Sequence, residues 1–484
     1  MKAYKIVIFI FSVLGLLGAI SYFFPSEGLK AGTLTLNFPS LSEVLAVNET
    51  PEEPQLSPEE LLQQRRDALA AAKNDEYIKY MKTSESRFYL PDSDFTYFDD
   101  LFVKLENCEN ELIRIVHYGD SQLEEDRMTS YLRERFQDEF GGSGVGMKPV
   151  VPMTGATYTC SQSINPEGRI PNYKIYASDM RAGHRRYGPM AQVAHIDTTT
   201  VVSFRTREPE NYPHAQTFQR IRVRMQGSGS LTFNANGKNT PLQCDSTKTV
   251  GGFKMYEAIL SQPTKKGYLV LSGNMDVFTI QLDGQTGIVM DNVAMRGCSG
   301  TIFTNIDRNS IESFYKDENV GLIILQYGGN SMPYTKKTEK IQEYCNQIKK
   351  QIDFFKMISP LSKILFIGPS DMSTSIAGTM QTYPHLPEFV SLLQKAVNEA
   401  GAAYWDMYSA MGGKNSMLQW VKARPQLAGE DYVHFTPKGS RQISEILYDT
   451  FDVYYKYYRF RNYDRYSMSD SISVDNNQLG REVD

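Results

Sequence analysis

Few residues in this chain have the type and placement for covalent catalysis. Of the six histidines, His117, His184, His195, His214, His385 and His434, only His434 follows a carboxylate, Asp431, by three positions. The pair stands in "GEDYVHFTPKGS", just ahead of a helix start. In a tight turn that spacing aims the carboxylate at Nδ1 of the imidazole and leaves Nε2 facing outward as a base. A matching hydroxyl stands at Ser121 in "VHYGDSQLEEDRM". Serine is a weak nucleophile until a base takes its proton. Ser121 is therefore either a helix N-cap or, beside such a base, a nucleophile. His117 lies inside the preceding strand and reads as a sheet residue, while His184, His195 and His214 fall in or near a β-rich region.

Elements of two kinds must position these groups. "ELIRIVHYG" is an apolar strand leading into Ser121, and the residues after Ser121 read as a long amphipathic helix with Glu124, Glu125 and Asp126 in its first turn. From about residue 165 to 290, short runs such as "TTTVVSFRTRE" and "GYLVLSGN" alternate apolar and polar residues between Gly, Asn and Pro turns. That texture predicts antiparallel strands in an inserted β-sandwich. After Asn292 apolar strands alternate with helices: "VGLIILQYGGN", "TEKIQEYCNQIKKQIDFFKM", "SKILFIGPSDM", "LPEFVSLLQKAVNEAG", "AAYWDM" and "TPKGSRQISEILYDTFDVYYKYY". Such alternation predicts a parallel sheet flanked by helices, with sites beyond the carboxyl ends of its strands. "YGDS", "YGGN" and "DYVH" then share one edge of that sheet. Asp406 in "YWDM" is a rival partner for the histidine but is expected to cap a strand end.

The 484 residues carry a net charge of −5, which excludes the basic face of a nucleic-acid binder. Five cysteines without a CxxC pair form neither a zinc framework nor a dense disulfide scaffold. Lys2 and Lys5 precede an uncharged apolar run from Ile6 to Phe24, close to the ~20 residues that span a bilayer. The flanking lysines hold the cytoplasmic side, and no A-x-A cleavage site follows. The expectation is an uncleaved membrane anchor with the rest of the chain extracytoplasmic, on the periplasmic side. Residues 25 to about 56 read as a linker. Ser57-Pro58-Glu59-Glu60 then starts a helix, with a cap, a proline at the first position and a capping-box glutamate. The expected divisions are an anchor over 1–26, linker and spacer helix over 27–93, the α/β domain over 94–164 and 291–458, the β insert over 165–290, and a disordered tail over 459–484.

In order and placement, "GDS", "GGN" and "DYVH" resemble blocks I, III and V of the SGNH, or GDSL, hydrolase superfamily. The resemblance implies a flavodoxin-like parallel sheet, with Ser121 as nucleophile, His434 as base and Asp431 as its orienter. It also implies an oxyanion hole built from the Ser121 backbone N–H, a block II glycine N–H and the Asn330 side-chain amide. "RGCSG" supplies that glycine as Gly297, and it aligns on Gly300 as well. Two departures stand out: Ser331 follows Asn330 where many relatives carry Asp, and Gln122, after the nucleophile, is expected to tune the acyl pocket. Over roughly residues 94 to 458 the chain is similar to bacterial peptidoglycan O-acetylesterases, in which the inserted β module resembles a carbohydrate-binding fold. This implies a serine esterase that removes O-acetyl groups from an envelope polysaccharide through an acyl-serine intermediate. An O-acetyltransferase with the same triad and a non-catalytic carbohydrate-binding envelope protein are the alternatives.

"GGSGVGMKP" is no phosphate loop, because Lys148 is followed by Pro149 rather than Ser or Thr. Neither HExxH nor EF-hand spacing occurs, and no metal or cofactor is expected. The expected partners are the O-acetylated polysaccharide and, through the N-terminal helix, the membrane.

Overall fold

The computed structural model describes residues 3–32, 34–46, 57–207 and 212–464. Part of the expected linker, 47–56, and the expected tail beyond residue 464 lie outside the described residues. The chain divides into two compact units, residues 1–69 and 70–484.

In the first unit Ala3–Phe23 forms one helix. At ~1.5 Å per residue it is ~31 Å long, the thickness of a bilayer's hydrocarbon core. It is long and apolar enough to cross a membrane, and Phe9, Phe11 and Leu16 are exposed along it. Where a linker was expected, Leu29–Ala31 pairs antiparallel with Leu34–Leu36, and Leu41–Leu45 forms a helical turn capped by Ser40. The capping box at Ser57 forms as expected. Its Oγ accepts from the Glu60 N–H at 3.2 Å, and the Glu60 carboxylate accepts from the Ser57 N–H at 2.7 Å.

The second unit is a mixed α/β structure built on a six-stranded sheet. Across it run Gly287–Ala294, Leu112–Gly119, Val320–Gln326, Lys363–Ile367 and Ala403–Trp405, all parallel, then Phe88–Tyr89, antiparallel at the edge. The strand order reverses between Leu112–Gly119 and Val320–Gln326, which is the switch point where such sheets hold their sites. Side chains alternate across the sheet. Ile113, Ile115, Leu322 and Ile324 pack under helices Asp99–Glu106, Thr129–Phe140 and Pro437–Arg459. Val116, Tyr118, Ile323 and Leu325 pack under Arg308–Asp317, Thr338–Ile358 and Leu386–Glu399. Full burial on both faces contributes ~1.5–3 kcal/mol per large side chain and explains the continuous apolar runs of these strands.

A second sheet, of ten strands, is inserted between Leu112–Gly119 and its neighbour Gly287–Ala294. Its spine is Phe218–Ala235 paired with Lys266–Asp283, eighteen residues each. The hydrogen bonding joins all ten strands into one continuous antiparallel network. Strand length is the reason. The outer edge of Lys266–Asp283 takes Thr200–Thr206, Gln192–Ile196 and Gly144–Lys148 in succession. The sheet therefore reaches back to Gly144, ahead of the change in sequence texture at 165, and Gly287–Ala294 belongs to the central sheet.

A buried ion network joins the two sheets. Arg114 on Leu112–Gly119 is fully buried and meets Asp291 at 2.6 Å, Glu318 at 3.2 Å and Asp283 of the inserted sheet. Arg222, also of the insert, meets Asp283 and Glu318 at 2.9 Å each.

Candidate active site

Ser121 follows the central strand Leu112–Gly119 where the chain leaves the sheet in a 3-10 turn, Ser121–Asp126. The turn is capped by Asp120, whose Oδ1 accepts the Gln122 N–H at 3.0 Å. Ser121 is thus released from capping, and its hydroxyl lies 2.7 Å from Nε2 of His434. The amphipathic helix expected directly after Ser121 begins only at Thr129. Glu124 is extended, and Glu125 and Asp126 adopt φ of +59° and +70°. Glu124 and Asp126 are drawn out of helical geometry by tertiary partners, Arg296 for the one and Arg133 with Thr159 for the other. The acidic run therefore lies ahead of the α-helix and not in its first turn, where it would complement the helix dipole.

His434 is held by a tight turn. Oδ1 of Asp431 accepts the N–H groups of Val433 and His434 at 3.0 Å each, and Oδ2 lies 2.7 Å from His434 Nδ1. Tyr432, at φ +57°, takes the left-handed conformation that closes the turn. Burial alone raises the Asp431 carboxyl, but the bonds from the His434 ring and the two N–H groups outweigh it and hold the group below the usual carboxylate range. With Nδ1–H donated to Asp431, Nε2 is the acceptor for the serine proton. A hydroxyl in that position can attack an ester carbonyl. Imidazole–carboxylate pairs also occur at His195–Asp276, His214–Glu134 and His385–Glu388. Among the described residues only His434 also meets a serine hydroxyl. Asp406 caps the turn after Ala403–Trp405 through the Ser409 N–H and hydroxyl, as expected of it.

Gln122, expected to tune a pocket, braces His434 from both sides. Its Nε2 donates to Val433 O at 2.7 Å, and its Oε1 accepts the Phe435 N–H at 3.3 Å. Nothing local in the sequence reveals this, since the partners are over three hundred residues apart. His117 is buried in its strand between Gln326 and Thr129, and burial pushes it down to about 4.

Asn330 stands in the turn after Val320–Gln326, and its amide donates to Asp120 Oδ2 at 2.9 Å and to Cys298 O at 3.2 Å. Burial pushes the Asp120 carboxyl up to about 6. The two alternative glycines behave differently. Gly300 is buried, its N–H reaches Cys298 Sγ at 3.4 Å, and a Cβ there would lie 2.5 Å from the Tyr327 ring. Gly297 is exposed, at φ +74°, with open space around it. The N–H groups of Gly297 and Ser121 meet no acceptor among the described residues. Ser121, Asn330 and His434 border a cleft of about 280 Å³ whose lining includes Tyr383 and Tyr334, the latter 81 % exposed.

No family model matches the sequence, and no curated protein does. A solved peptidoglycan O-acetylesterase superimposes with a TM-score of 0.62 at 19 % identity, over 77 % of this chain and 99 % of its own. The chain shares the fold of that enzyme. Two smaller structures, the acetyl xylan esterase AlAXEase (TM-score 0.26, 12 % identity) and Axe2, an acetylxylan esterase from Geobacillus stearothermophilus (0.26, 14 %), each cover 34 % of this chain and 80 % and 72 % of their own.

Proposed function

We propose that the protein is an SGNH-type serine esterase that removes O-acetyl groups from a cell-envelope carbohydrate. The observation that carries this reading is the continuous hydrogen-bonded chain Ser121–His434–Asp431, with both links at 2.7 Å. In the proposed reaction Ser121 Oγ attacks the acetyl carbonyl as His434 Nε2 takes its proton. The tetrahedral oxyanion is received by the N–H groups of Ser121 and Gly297 and the Asn330 amide. His434 returns the proton to the departing sugar hydroxyl, leaving acetyl-Ser121. Water, deprotonated by His434, then releases acetate and restores the serine. Gly297 is preferred to Gly300 because its N–H is uncommitted. The shared fold with a peptidoglycan O-acetylesterase and the exposed Tyr334 at the cleft, a surface on which a sugar ring stacks, support a carbohydrate ester as substrate. The apolar helix Ala3–Phe23 supports a membrane anchor with the esterase on the extracytoplasmic side.

The test is acetate release by the full-length protein in detergent, from p-nitrophenyl acetate and from O-acetylated peptidoglycan, comparing wild type with Ser121→Ala. Release from both that falls roughly 10⁴-fold or more in the variant is expected. Release that survives Ser121→Ala would overturn the site, and release from neither would overturn the esterase.

A further inference from the structure

Gly297, whose N–H is proposed to receive the oxyanion, has no fastening of its own. It stands in open space, and no hydrogen bond reaches it among the described residues. Its direction is therefore set by its neighbours. On one side Met295 N–H donates to Gly119 O at 2.8 Å, and Cys298 N–H closes a turn on Met295 O at 3.0 Å. On the other side the Asn330 amide donates to Cys298 O at 3.2 Å, and the Tyr344 hydroxyl donates to Ser299 O at 2.9 Å. A turn of this kind bonds its first and fourth residues and leaves its central peptide, here Arg296–Gly297, unbonded. The N–H of that peptide is the one that belongs to Gly297.

The Arg296 side chain supplies the missing restraint. Its Nε donates to Glu124 Oε1 and its Nη2 to Glu124 Oε2 at 2.7 Å, a two-point fork that fixes orientation as well as distance. Most ion pairs at a protein surface contribute little. Here Arg296 is 64 % exposed, but the Glu124 side chain is buried and has no other hydrogen-bond partner among the described residues. Glu124 belongs to the turn Ser121–Asp126, where its backbone is extended at φ −52° and ψ 149°. The fork thus ties the turn that carries the Ser121 N–H to the turn that carries the Gly297 N–H. Two donors that receive one oxygen must hold their places to within about 0.5 Å. We propose that Glu124 and Arg296 are positioning residues that hold the Gly297 N–H in register with the Ser121 N–H. Neither touches the reacting atoms, and both act through Gly297. The inference rests on the reading of Ser121 as an esterase nucleophile and adds what aligns its oxyanion donors.

Arg296→Met tests this in the full-length protein in detergent. Arg308→Met is the control, since Arg308 makes a similar surface pair with Glu312 at 2.8 Å. On p-nitrophenyl acetate Arg296→Met is expected to lower kcat about tenfold with KM changed less than about twofold, and Arg308→Met leaves both as in wild type. Combined with Gly297→Ala, the loss should fall short of the product of the two single losses, because both act on one N–H. Arg296→Lys keeps the charge without the fork and should resemble Arg296→Met. In protein carrying isotope-labelled glycine, the Gly297 amide resonance is identified by its loss in Gly297→Ala. That resonance should shift in Arg296→Met and stay in place in Arg308→Met. Unchanged kcat, a fully multiplicative double variant, or full activity in Arg296→Lys would overturn the proposal. If wild type cleaves neither p-nitrophenyl acetate nor O-acetylated peptidoglycan, the esterase reading fails and the resonance alone decides. A shift then keeps the fork as what aligns the two turns, and an unmoved resonance removes it. If p-nitrophenyl acetate is cleaved and the resonance does not move, the esterase reading stands and the fork falls.

Discussion

The Asn330 amide donates to the Asp120 carboxylate at 2.9 Å while its other hydrogen is directed to the Cys298 carbonyl at 3.2 Å. The group proposed to receive an oxyanion is thus already aimed by a buried acid. For the reaction to use it, one of those hydrogen bonds must be exchanged for one to the developing charge. Asn330→Ala is expected to lower kcat by about 10²–10³-fold with a smaller effect on KM. Steady-state kinetics on p-nitrophenyl acetate checks this, and a loss confined to KM would remove Asn330 from the transition state.

Asp120 gives a pH dependence of definite sign. Its carboxyl rises from 3.8 to about 6 through burial, so between those values the folded chain keeps a proton that the unfolded chain has released. Wild-type stability therefore falls as pH rises through that window, by up to ~3 kcal/mol. Asp120→Asn has no such proton to lose and should gain on wild type by that amount between pH 4 and pH 7. Urea denaturation of both proteins at the two pH values measures the difference, and parallel curves would contradict it.

Gln122 ties the serine turn to the histidine turn through Val433 and Phe435. Gln122→Ala is expected to cut kcat by roughly tenfold and leave KM nearly unchanged, since a ~1 Å drift of a positioned base costs rate more than affinity. NMR of the His434 ring provides the accompanying readout. A normal imidazole signal together with normal kcat would show that the brace is dispensable.

The two glycines should separate in a simple comparison. An alanine at 300 drives its Cβ into the Tyr327 ring at 2.5 Å, so Gly300→Ala is expected to lower thermal stability. Gly297→Ala meets open space, pays about 1–2 kcal/mol for its left-handed backbone, and is expected to lower kcat with a smaller loss of thermal stability than Gly300→Ala. Calorimetry and kinetics on the pair test the assignment, and an opposite pattern would transfer the oxyanion role to Gly300.

The alternation of strands and helices after Asn292 and the three short motifs were legible because each is written in adjacent residues. The partnership of Ser121 with His434 was implied by the resemblance to the SGNH blocks, although their contact spans 313 positions. What escaped is decided by distant partners. In "GDSQ" both Asp120 and Ser121 suit an N-cap, and local chemistry does not choose between them. The delayed helix start depends on Arg296 and Arg133, which pull Glu124 and Asp126 away from helical backbone. Gly297 and Gly300 are equivalent in "RGCSG" until the Tyr327 ring is placed beside one of them. The inserted sheet starts at Gly144 because Gly144–Lys148 finds its partner strand more than a hundred residues later, a pairing with no local signature.

Arg114 makes the insert inseparable from the rest. One guanidinium at the base of the Ser121 strand is neutralised by Asp291 beside it, Glu318 below it and Asp283 from the inserted sheet, and Glu318 in turn relies on Arg222 of that sheet. Cutting the insert out would strand charges in a dry interior, where an orphaned partner typically costs 3–5 kcal/mol. The insert is therefore no detachable cargo to be swapped between scaffolds. It is expected to melt together with the half that carries Ser121, and anything it grips is then carried at a fixed distance from the serine, as a workpiece is clamped against a blade.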